Sequence, residues 1–331
     1  MTNYTTLNHN LKRGILKFSE KISKNLSIPH QRFVTQMLFG VLSSNDSKLS
    51  SIGRCLNEKI SLKKVIERLS RNLKTFEDGE ILFKNYLKTV KSVIGDKSLL
   101  VIDGGDITKP CATKMEDISI VRDGSTGEYK NGYYTMGITA LSSERKLPIP
   151  VYTRVYTSEE KNFISEDDEV LKGLKFLSKT FGKGNIRTFD RGFDNNRYYQ
   201  YLLSNKEKFV IRAKKNRDVI YKGKKINILK LANKFKGKYS LKYTKKNGFK
   251  ADCKVSVIPI KLVCRPNDEL NLVVCYGFGK EPMLLISNLK SDDKNKVIIT
   301  GHAAKGTIGS EIFNEDYCKN NSVNLEKDHI I

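Results

Sequence analysis

Two short apolar runs, each ending in an aspartate, constrain the fold of this chain most. The first run, residues 98–103, ends in Asp103, and the second, residues 185–190, ends in Asp190; another aspartate follows each within four residues. An apolar run of four or five residues bounded by Gly and Asp predicts a buried strand. A carboxylate at the end of such a strand stands on rigid backbone at the rim of the sheet, which is how proteins aim carboxylates at a metal.

The charge balance favours a polyanionic partner. The chain has 60 Lys and Arg against 36 Asp and Glu, a net charge of +24 and an isoelectric point near 9.6. Such a charge attracts phosphate backbones by long-range steering and counterion release, so nucleic acid is the first partner to consider. A basic chain also binds acidic lipid surfaces, or simply comes from a lysine-rich proteome, and charge does not choose the reaction.

Other classes of protein fit the sequence less well. No run approaches the roughly 18 to 20 apolar residues that cross a bilayer, and residues 1–12 are polar, unlike a secretory signal. We therefore expect a cytoplasmic, nucleoid-associated protein without a membrane partner. The six cysteines form no C-x-x-C pair and only four histidines occur, so the sequence predicts neither a zinc site nor a disulfide framework.

Apolar spacing divides the chain into a helical part, residues 1–95, and a mixed part, residues 96–331. In the helical part, residues 49–56 and 61–71 could form a helix-turn-helix. The second of these helices carries four basic side chains that could contact DNA phosphates: Lys63, Lys64, Arg68 and Arg71. A solvated helix face is an equally good interpretation of the same pattern.

Beyond residue 95 the pattern predicts three strands, then a helix, a strand, a helix and a strand. From about 218 to 280 the sequence is lysine-rich and alternates with period two, which predicts an antiparallel β insertion between two core strands. The core resumes with the apolar run 283–289. The order of elements indicates an α/β class with a mixed sheet.

The chemistry of the two aspartates fits a site for divalent cations. Two-metal sites for phosphoryl transfer need several hard oxygen ligands, and Mg²⁺ prefers carboxylates and water. Asp103 and Asp190 lie 190 − 103 = 87 residues apart, so only the fold can bring them together. Taken singly, an aspartate that ends a strand is more commonly a turn-former or a helix cap.

An ordered set of segments resembles the DDE transposases of bacterial and archaeal insertion sequences. The set comprises Val101-Ile-Asp103 with Lys109-Pro110 nearby, Gly132-Tyr-Tyr-Thr-Met-Gly137, Thr188-Phe-Asp190-Arg191-Gly192, Phe209-Val-Ile-Arg212 and Leu284-Leu-Ile-Ser-Asn288, preceded by the helix 60–71. The resemblance implies a ribonuclease H-like mixed sheet flanked by helices, with the β insertion and an amino-terminal helical DNA-binding region. It also implies a Mg²⁺-dependent enzyme, with Mn²⁺ as a substitute, that acts as a homodimer on terminal inverted repeats and target DNA.

By this resemblance Asp103 and Asp190 are the first two catalytic carboxylates and metal ligands. Arg191 would contact the scissile phosphate or pair with a carboxylate. Water would attack the phosphodiester first, and the freed 3′-hydroxyl would then attack target DNA, without a covalent protein intermediate.

The third carboxylate departs from the family pattern. Family members carry it in a helix with the pattern Y-x-x-R-W-x-I-E, whereas residues 302–309 read His-Ala-Ala-Lys-Gly-Thr-Ile-Gly, which leaves Gly309 in the place of Glu. We expect Glu311 to be the replacement ligand, with Glu315 and Glu326 behind it. On an ideal helix Glu311 is rotated by about 200° from the family position, so a surface carboxylate is the competing interpretation.

Three functions remain open from the sequence. The first is a transposase that cuts insertion-sequence ends and transfers the strands. The second is a degenerate transposase that binds DNA without cutting it, because its third carboxylate is lost. The third is a general metal-dependent nuclease that uses the same two aspartates and has no preference for inverted repeats.

Overall fold

The structure is a computed structural model that describes residues 4–96, 98–142, 147–235, 237, 239–244, 250–277 and 281–289. The chain divides into two units, residues 1–92 and residues 93–331. No helix among the described residues is both long and apolar enough to cross a membrane.

The first unit is helical within its described residues. Its helices are α1 (Tyr4–Ile22), α2 (Ile28–Ser44), α3 (Leu49–Leu56), α4 (Leu62–Lys74) and α5 (Gly79–Lys91). Helix α2 ends at Ser44, and Asn45 follows with a φ of 51° in the left-handed region, as is common after the last turn of a helix.

Helices α2, α3 and α4 share a small apolar core. Its buried members are Phe33, Ile52, Val65 and Leu69. Helix α2 approaches α3 closely at Gly40, where an added Cβ would lie 2.3 Å from Cγ2 of Ile52. The apolar face of α4 is therefore buried in this core, and its basic face is exposed to solvent.

The second unit combines strands and helices. In chain order its elements are β1 (Leu99–Thr108), β2 (Ser119–Arg122), β3 (Tyr129–Leu141), β4 (Pro148–Tyr156), α6 (Glu166–Phe181), β5 (Ile186–Phe189), a 3₁₀ helix (Arg191–Phe193), α7 (Asn196–Ser204), β6 (Lys208–Arg212), β7 (Asp218–Tyr221), β8 (Lys224–Asn227), α8 (Ile228–Ala232), β9 (Tyr239–Thr244), β10 (Lys250–Leu262), β11 (Arg265–Tyr276) and β12 (Met283–Ser287).

The strands form one mixed sheet in the order β2-β3-β1-β5-β6-β12-β11-β10-β7-β8, with β4 also paired to β3 and β9 to β10. Strands β1, β3 and β4 pair antiparallel, whereas β5 is parallel to β1 and β6 is parallel to β5. Because β1, β5 and β6 point the same way, their carboxyl ends meet at one edge. This α/β arrangement is consistent with a ribonuclease H-like fold.

Helices α6 and α7 flank one face of the sheet. Helix α6 approaches β3 at Gly173, where an added Cβ would lie 2.4 Å from Cε of Met136. On α7, the ring of Tyr198 stacks on Phe189 of β5, and Tyr199 meets Phe209 of β6 edge to face. These contacts fix α7 over the two central parallel strands.

The segment predicted as a β insertion adds strands to the same sheet. Strand β12 pairs with β6, β11 with β12, and β10 with β11, all antiparallel. The segment is not made of strands alone, because the short helix α8 lies between β8 and β9.

Strand β1 is longer than the sequence predicts. The apolar run ends at Asp103, but the strand continues to Thr108. Gly104 and Gly105 do not break it, because they stay paired with Met136 and Thr135 of β3. Asp103 is therefore not the last residue of its strand, and the prediction was wrong on this point.

Candidate functional site

Strand register makes Asp103 and Asp190 neighbours. The parallel pairing of β1 with β5 ends at Ile102 opposite Phe189. Asp103 and Asp190 are the next residues of the two segments, so both carboxylates lie where β5 leaves the sheet. The fold thus brings together two residues that the sequence alone could not connect.

The proximity of the two carboxylates affects the pKa of Asp103. Burial, reinforced by the negative charge of Asp190, raises the pKa of Asp103 from 3.8 to about 6, although a backbone hydrogen bond at Gly104 partly offsets the shift. Neither carboxylate has an ion-pair partner within the described part of the chain. Such uncompensated charge is typical of functional sites.

Asp190 is held by the turn that it begins. One of its oxygens, Oδ1, accepts a hydrogen bond from the backbone N–H of Gly192 at 2.7 Å, capping the 3₁₀ helix. A Cβ at position 192 would lie only 3.0 Å from that same oxygen. The Asp-Arg-Gly sequence therefore fixes one oxygen of Asp190 and leaves the other, Oδ2, for a ligand.

Arg212 lies in a row with Asp103 and Asp190 where the parallel strand pairings end. The pairing of β5 with β6 ends at Phe189 opposite Ile211, so Arg212 occupies the position beside Asp190. Burial and the positive charge of Arg191 lower the pKa of Arg212, and the negative charge of Asp190 partly opposes this. Arg191 itself is exposed. Two guanidinium groups thus lie close to the carboxylate pair, where they could bind a phosphate.

A cavity of about 750 Å³ opens beside the row and is lined by both Asp103 and Asp190. Its wall is predominantly polar in character. The amino-terminal turn of α6 contributes Glu166 and Asp167, and the segment after β6 contributes Lys214. A volume of this size can hold a segment of a phosphodiester chain.

The ligand set is incomplete within the described residues, which contain no group of three or more His, Cys, Asp or Glu side chains able to hold a metal ion. Glu166 and Asp167 line the cavity but do not complete such a group. Asp167 is already engaged by the hydroxyl of Tyr198 and by Nδ2 of Asn195. The predicted third ligand, Glu311, lies outside the described residues, as do Glu315 and Glu326.

Asp194, the aspartate that follows Asp190 four residues later, has a structural role. Its side chain is fully buried and accepts hydrogen bonds from the hydroxyl of Tyr199 at 2.9 Å, the backbone N–H of Lys214 at 2.7 Å and Nε of Arg217 at 2.6 Å. This carboxylate therefore joins the segment of Asp190 to the segment that follows β6.

Asp106 is likewise structural, because its Oδ1 accepts a hydrogen bond from the backbone N–H of Gly124 at 2.9 Å. It anchors the loop between β2 and β3 to β1.

In the first unit, α4 presents Lys63, Lys64 and Arg71 to solvent. Arg68 differs, because it forms two hydrogen bonds with the carboxylate of Glu58, at 2.5 and 2.7 Å. Of the four predicted DNA-contact side chains, only Arg68 is therefore engaged by Glu58; Lys63, Lys64 and Arg71 are not.

Sequence reasoning missed Arg212 and Lys214 as site residues. The sequence did contain an indication, because the apolar run 209–211 is followed directly by Arg212, just as the two other runs end in an aspartate. At this edge the sequence assigned roles only to Asp103, Asp190 and Arg191, and the parallel register of β6 places Arg212 at the same edge.

No protein-family model matches the chain, and no curated protein matches it. Among solved structures, a piggyBac transposase synaptic complex with hairpin DNA aligns with a TM-score of 0.43 and 13% identity over 90% of this chain and 64% of that chain. The present chain thus spans less than two-thirds of that transposase.

Two nucleases align over 72% of this chain. The NurA nuclease from Sulfolobus solfataricus gives a TM-score of 0.29 and 11% identity over 85% of its chain, and human ENDOV gives 0.28 and 13% over 94%. Similarities at this level do not assign a family or an activity to the chain.

Proposed function

We propose that this chain cuts DNA at the Asp103–Asp190 pair with the help of a divalent cation, as the first step of DNA transposition. The observation that carries the proposal is the row formed by Asp103, Asp190 and Arg212 at the ends of the parallel pairings. The row places two oxygen ligands, both lining the cavity, next to a guanidinium group suited to phosphate.

The carboxylate pair fits a hard divalent cation. Two half-buried carboxylates repel each other here without an ion-pair partner among the described residues, and a bound Mg²⁺ or Mn²⁺ would balance that charge. Asp103 and Asp190 would hold it. When bound, such an ion polarises a phosphodiester and lowers the pKa of water.

The chain's own residues would orient the substrate. Arg212 and Arg191 would bind oxygens of the scissile phosphate, because guanidinium groups offer several donors in a fixed plane. The cap formed by Gly192 holds Asp190 in place before substrate arrives. Such preorganisation is what makes electrostatic stabilisation effective in catalysis.

Transposition, rather than unspecific cleavage, is favoured by the ordered motifs and by the helical first unit. The basic side chains Lys63, Lys64 and Arg71 would contact phosphates of the terminal repeats, and a homodimer would hold two such ends. A third ligand from Glu311 would complete the metal site.

The proposal is tested with a labelled duplex that carries the DNA flanking this gene, incubated with Mg²⁺ or Mn²⁺. We expect the native chain to cut at the repeat ends and a chelator to stop it. Asp103→Asn and Asp190→Asn should lower the rate by about 10³-fold or more. Asp106→Asn is the matched control, since it makes the same change on the same strand at a residue that anchors a loop.

The outcomes separate the three functions. Equal cutting by the native chain and Asp103→Asn would overturn the proposal. Cutting that depends on Asp103 but ignores the repeats would identify a general nuclease. Binding of the repeats without cutting, with cutting restored by Gly309→Glu, would identify a DNA-binding protein that has lost its third ligand.

A further inference from the structure

The wall of the site cavity contains a basic part that the proposed chemistry does not use. Lys214 and Lys225 line the same cavity as Asp103 and Asp190, and so does Arg217. Lys214 is exposed, and its side chain has no carboxylate partner among the described residues. Arg217 is committed to Asp194, which leaves the lysines for a ligand.

Lys225 belongs to a hairpin whose tip is rich in lysine. Strands β7 and β8 pair antiparallel, with Tyr221 opposite Lys224, and the turn consists of Lys222 and Gly223. The side chains of Lys222, Lys224 and Lys225 are exposed. Lys225 lines the cavity, and Lys222 and Lys224 carry positive charge onward to the exposed tip of the hairpin, Lys224 from the opposite face of β8. We call Lys214, Lys222, Lys224 and Lys225 together the basic track.

The partners of the track are weak. Lys225 pairs with Asp218 at 3.1 Å, but both side chains are largely exposed, so solvent screens the pair. Lys222 lies over the ring of Tyr221, 5.6 Å from its centre. Lys224 has no carboxylate partner within the described ranges. All four side chains could therefore turn to phosphates at little cost.

The track is nevertheless built on fixed backbone. Asp194 accepts a hydrogen bond from the backbone N–H of Lys214. The backbone oxygen of Arg217 accepts one from the N–H of Ile228, which directly follows β8. Nδ2 of Asn227 donates to the backbone oxygen of Lys215 at 3.0 Å. These bonds tie the hairpin to the segment that lines the cavity.

The cavity wall is asymmetric in charge. Its α6 part carries Glu166 and Asp167. Arg197 pairs with Asp167, so Glu166 is the acidic side chain of this part that has no ion-pair partner among the described residues. A DNA backbone leaving the carboxylate pair is therefore attracted along the track and repelled from the start of α6. The charges favour one direction for the DNA that flanks the cut.

We propose that the basic track binds the duplex phosphates on one side of the bond that is cut. The proposal rests on the proposed function, since it takes DNA as the substrate, and it assigns a contact surface in the second unit separate from α4. The flank of the DNA that approaches α6 lacks an equivalent surface among the cavity-lining residues.

The test is binding of a fluorescent duplex, measured by anisotropy across a series of salt concentrations, with no divalent cation present. The triple variant is Lys222→Asn with Lys224→Gln and Lys225→Gln; Asn is chosen at 222 because that residue has a φ of 48°. We expect affinity to fall by about 10-fold or more, and the slope of log K against log salt to become shallower by about 2 to 3.

The control removes the same charge elsewhere in the unit. Lys175, Lys179 and Lys183 are exposed at the carboxyl-terminal half of α6 and just beyond it. Their triple replacement by Gln should leave affinity within about 3-fold and the slope nearly unchanged. Urea unfolding of both variants checks that each is folded.

Equal losses in the two triple variants would overturn the proposal, because binding would then depend only on net charge. The assay is independent of cutting. If the native chain does not cut DNA but only the track variant loses binding, the binding surface is supported and the proposed cleavage is contradicted. If the native chain cuts DNA and both variants bind normally, only the proposed binding surface is contradicted.

Discussion

Two kinds of carboxylate occur beside the strands of the second unit: fully buried ones that have a charged partner, and half-buried ones that have none among the described residues. Glu207 and Arg187 are both fully buried and form an ion pair of 3.0 Å between Oε2 and Nε. Asp194 is buried against Arg217. Asp103 and Asp190, by contrast, face each other without an ion-pair partner in the described part of the chain.

The ion-paired carboxylates, Glu207 and Asp194, stabilise the fold, whereas we assign Asp103 and Asp190 to ligand binding. A buried charge that has its own partner contributes to structure, and removal of that partner is costly. A like-charged pair in a cavity is kept only if something else compensates it.

Removal of Arg187 should destabilise the fold most. Its guanidinium also donates hydrogen bonds to the backbone oxygens of Asn185 and Gly182. Arg187→Met therefore leaves the buried carboxylate of Glu207 and these two carbonyls without their partner. We expect the free energy of unfolding in urea to fall by about 3–5 kcal/mol. Arg197→Met, which removes solvent-screened pairs with Asp167 and Asp168, is the control and should cost much less. A similar small loss in both would contradict the contrast.

Asp194→Asn should have an intermediate effect. The amide keeps an acceptor for the N–H of Lys214 but loses the charge that balances Arg217, and hydrogen bonds to charged groups contribute about 1.5–3 kcal/mol. We expect a loss of that size in urea, with faster amide hydrogen exchange at residues 214–217. Unchanged exchange there would show that Asp194 does not fix this segment.

Asp103→Asn should stabilise the metal-free protein. The raised pKa means that the folded state holds the Asp103 proton up to about pH 6, whereas the unfolded chain releases it near 3.8. Stability of the native chain therefore falls as pH rises between these values. In chelator, the variant should gain about 1–3 kcal/mol above pH 6 and nothing below pH 4. A gain that does not vary with pH would contradict the electrostatic account.

The smallest effect is expected at the half-buried pair of Glu58 and Arg68 on the first unit. Hydrogen bonding to Arg68 lowers the pKa of Glu58, with burial acting in the opposite direction. Arg68→Gln should cost less than about 1 kcal/mol in thermal unfolding. A loss as large as that for Arg187→Met would mean that exposure does not decide the strength of these pairs.

The sequence predicted the central strands because their apolar runs are continuous and bounded by Gly and Asp. It could not place Asp103 beside Asp190, since that depends on the parallel register of β1 and β5. It also ended β1 too early, because Gly104 and Gly105 resemble a break although β3 pairs with both.

The remaining gaps have similar causes. The period-two pattern indicated strands in the segment after β6, but only long-range pairing shows that β12 returns beside β6 and that β10 meets β7. The same aspartate motif supplied one unbalanced carboxylate, Asp190, and one balanced carboxylate, Asp194. Only the position of Arg217 tells them apart.

The most direct test of the central claim is a titration of Mn²⁺ that follows the electron paramagnetic resonance signal of the free ion, with and without duplex DNA. We expect the native chain and Asp106→Asn to bind the ion, and Asp103→Asn and Asp190→Asn to lose affinity by about 10-fold or more. Equal binding by all four proteins, or no binding by the native chain even with DNA present, would contradict the assignment of this pair as the metal site.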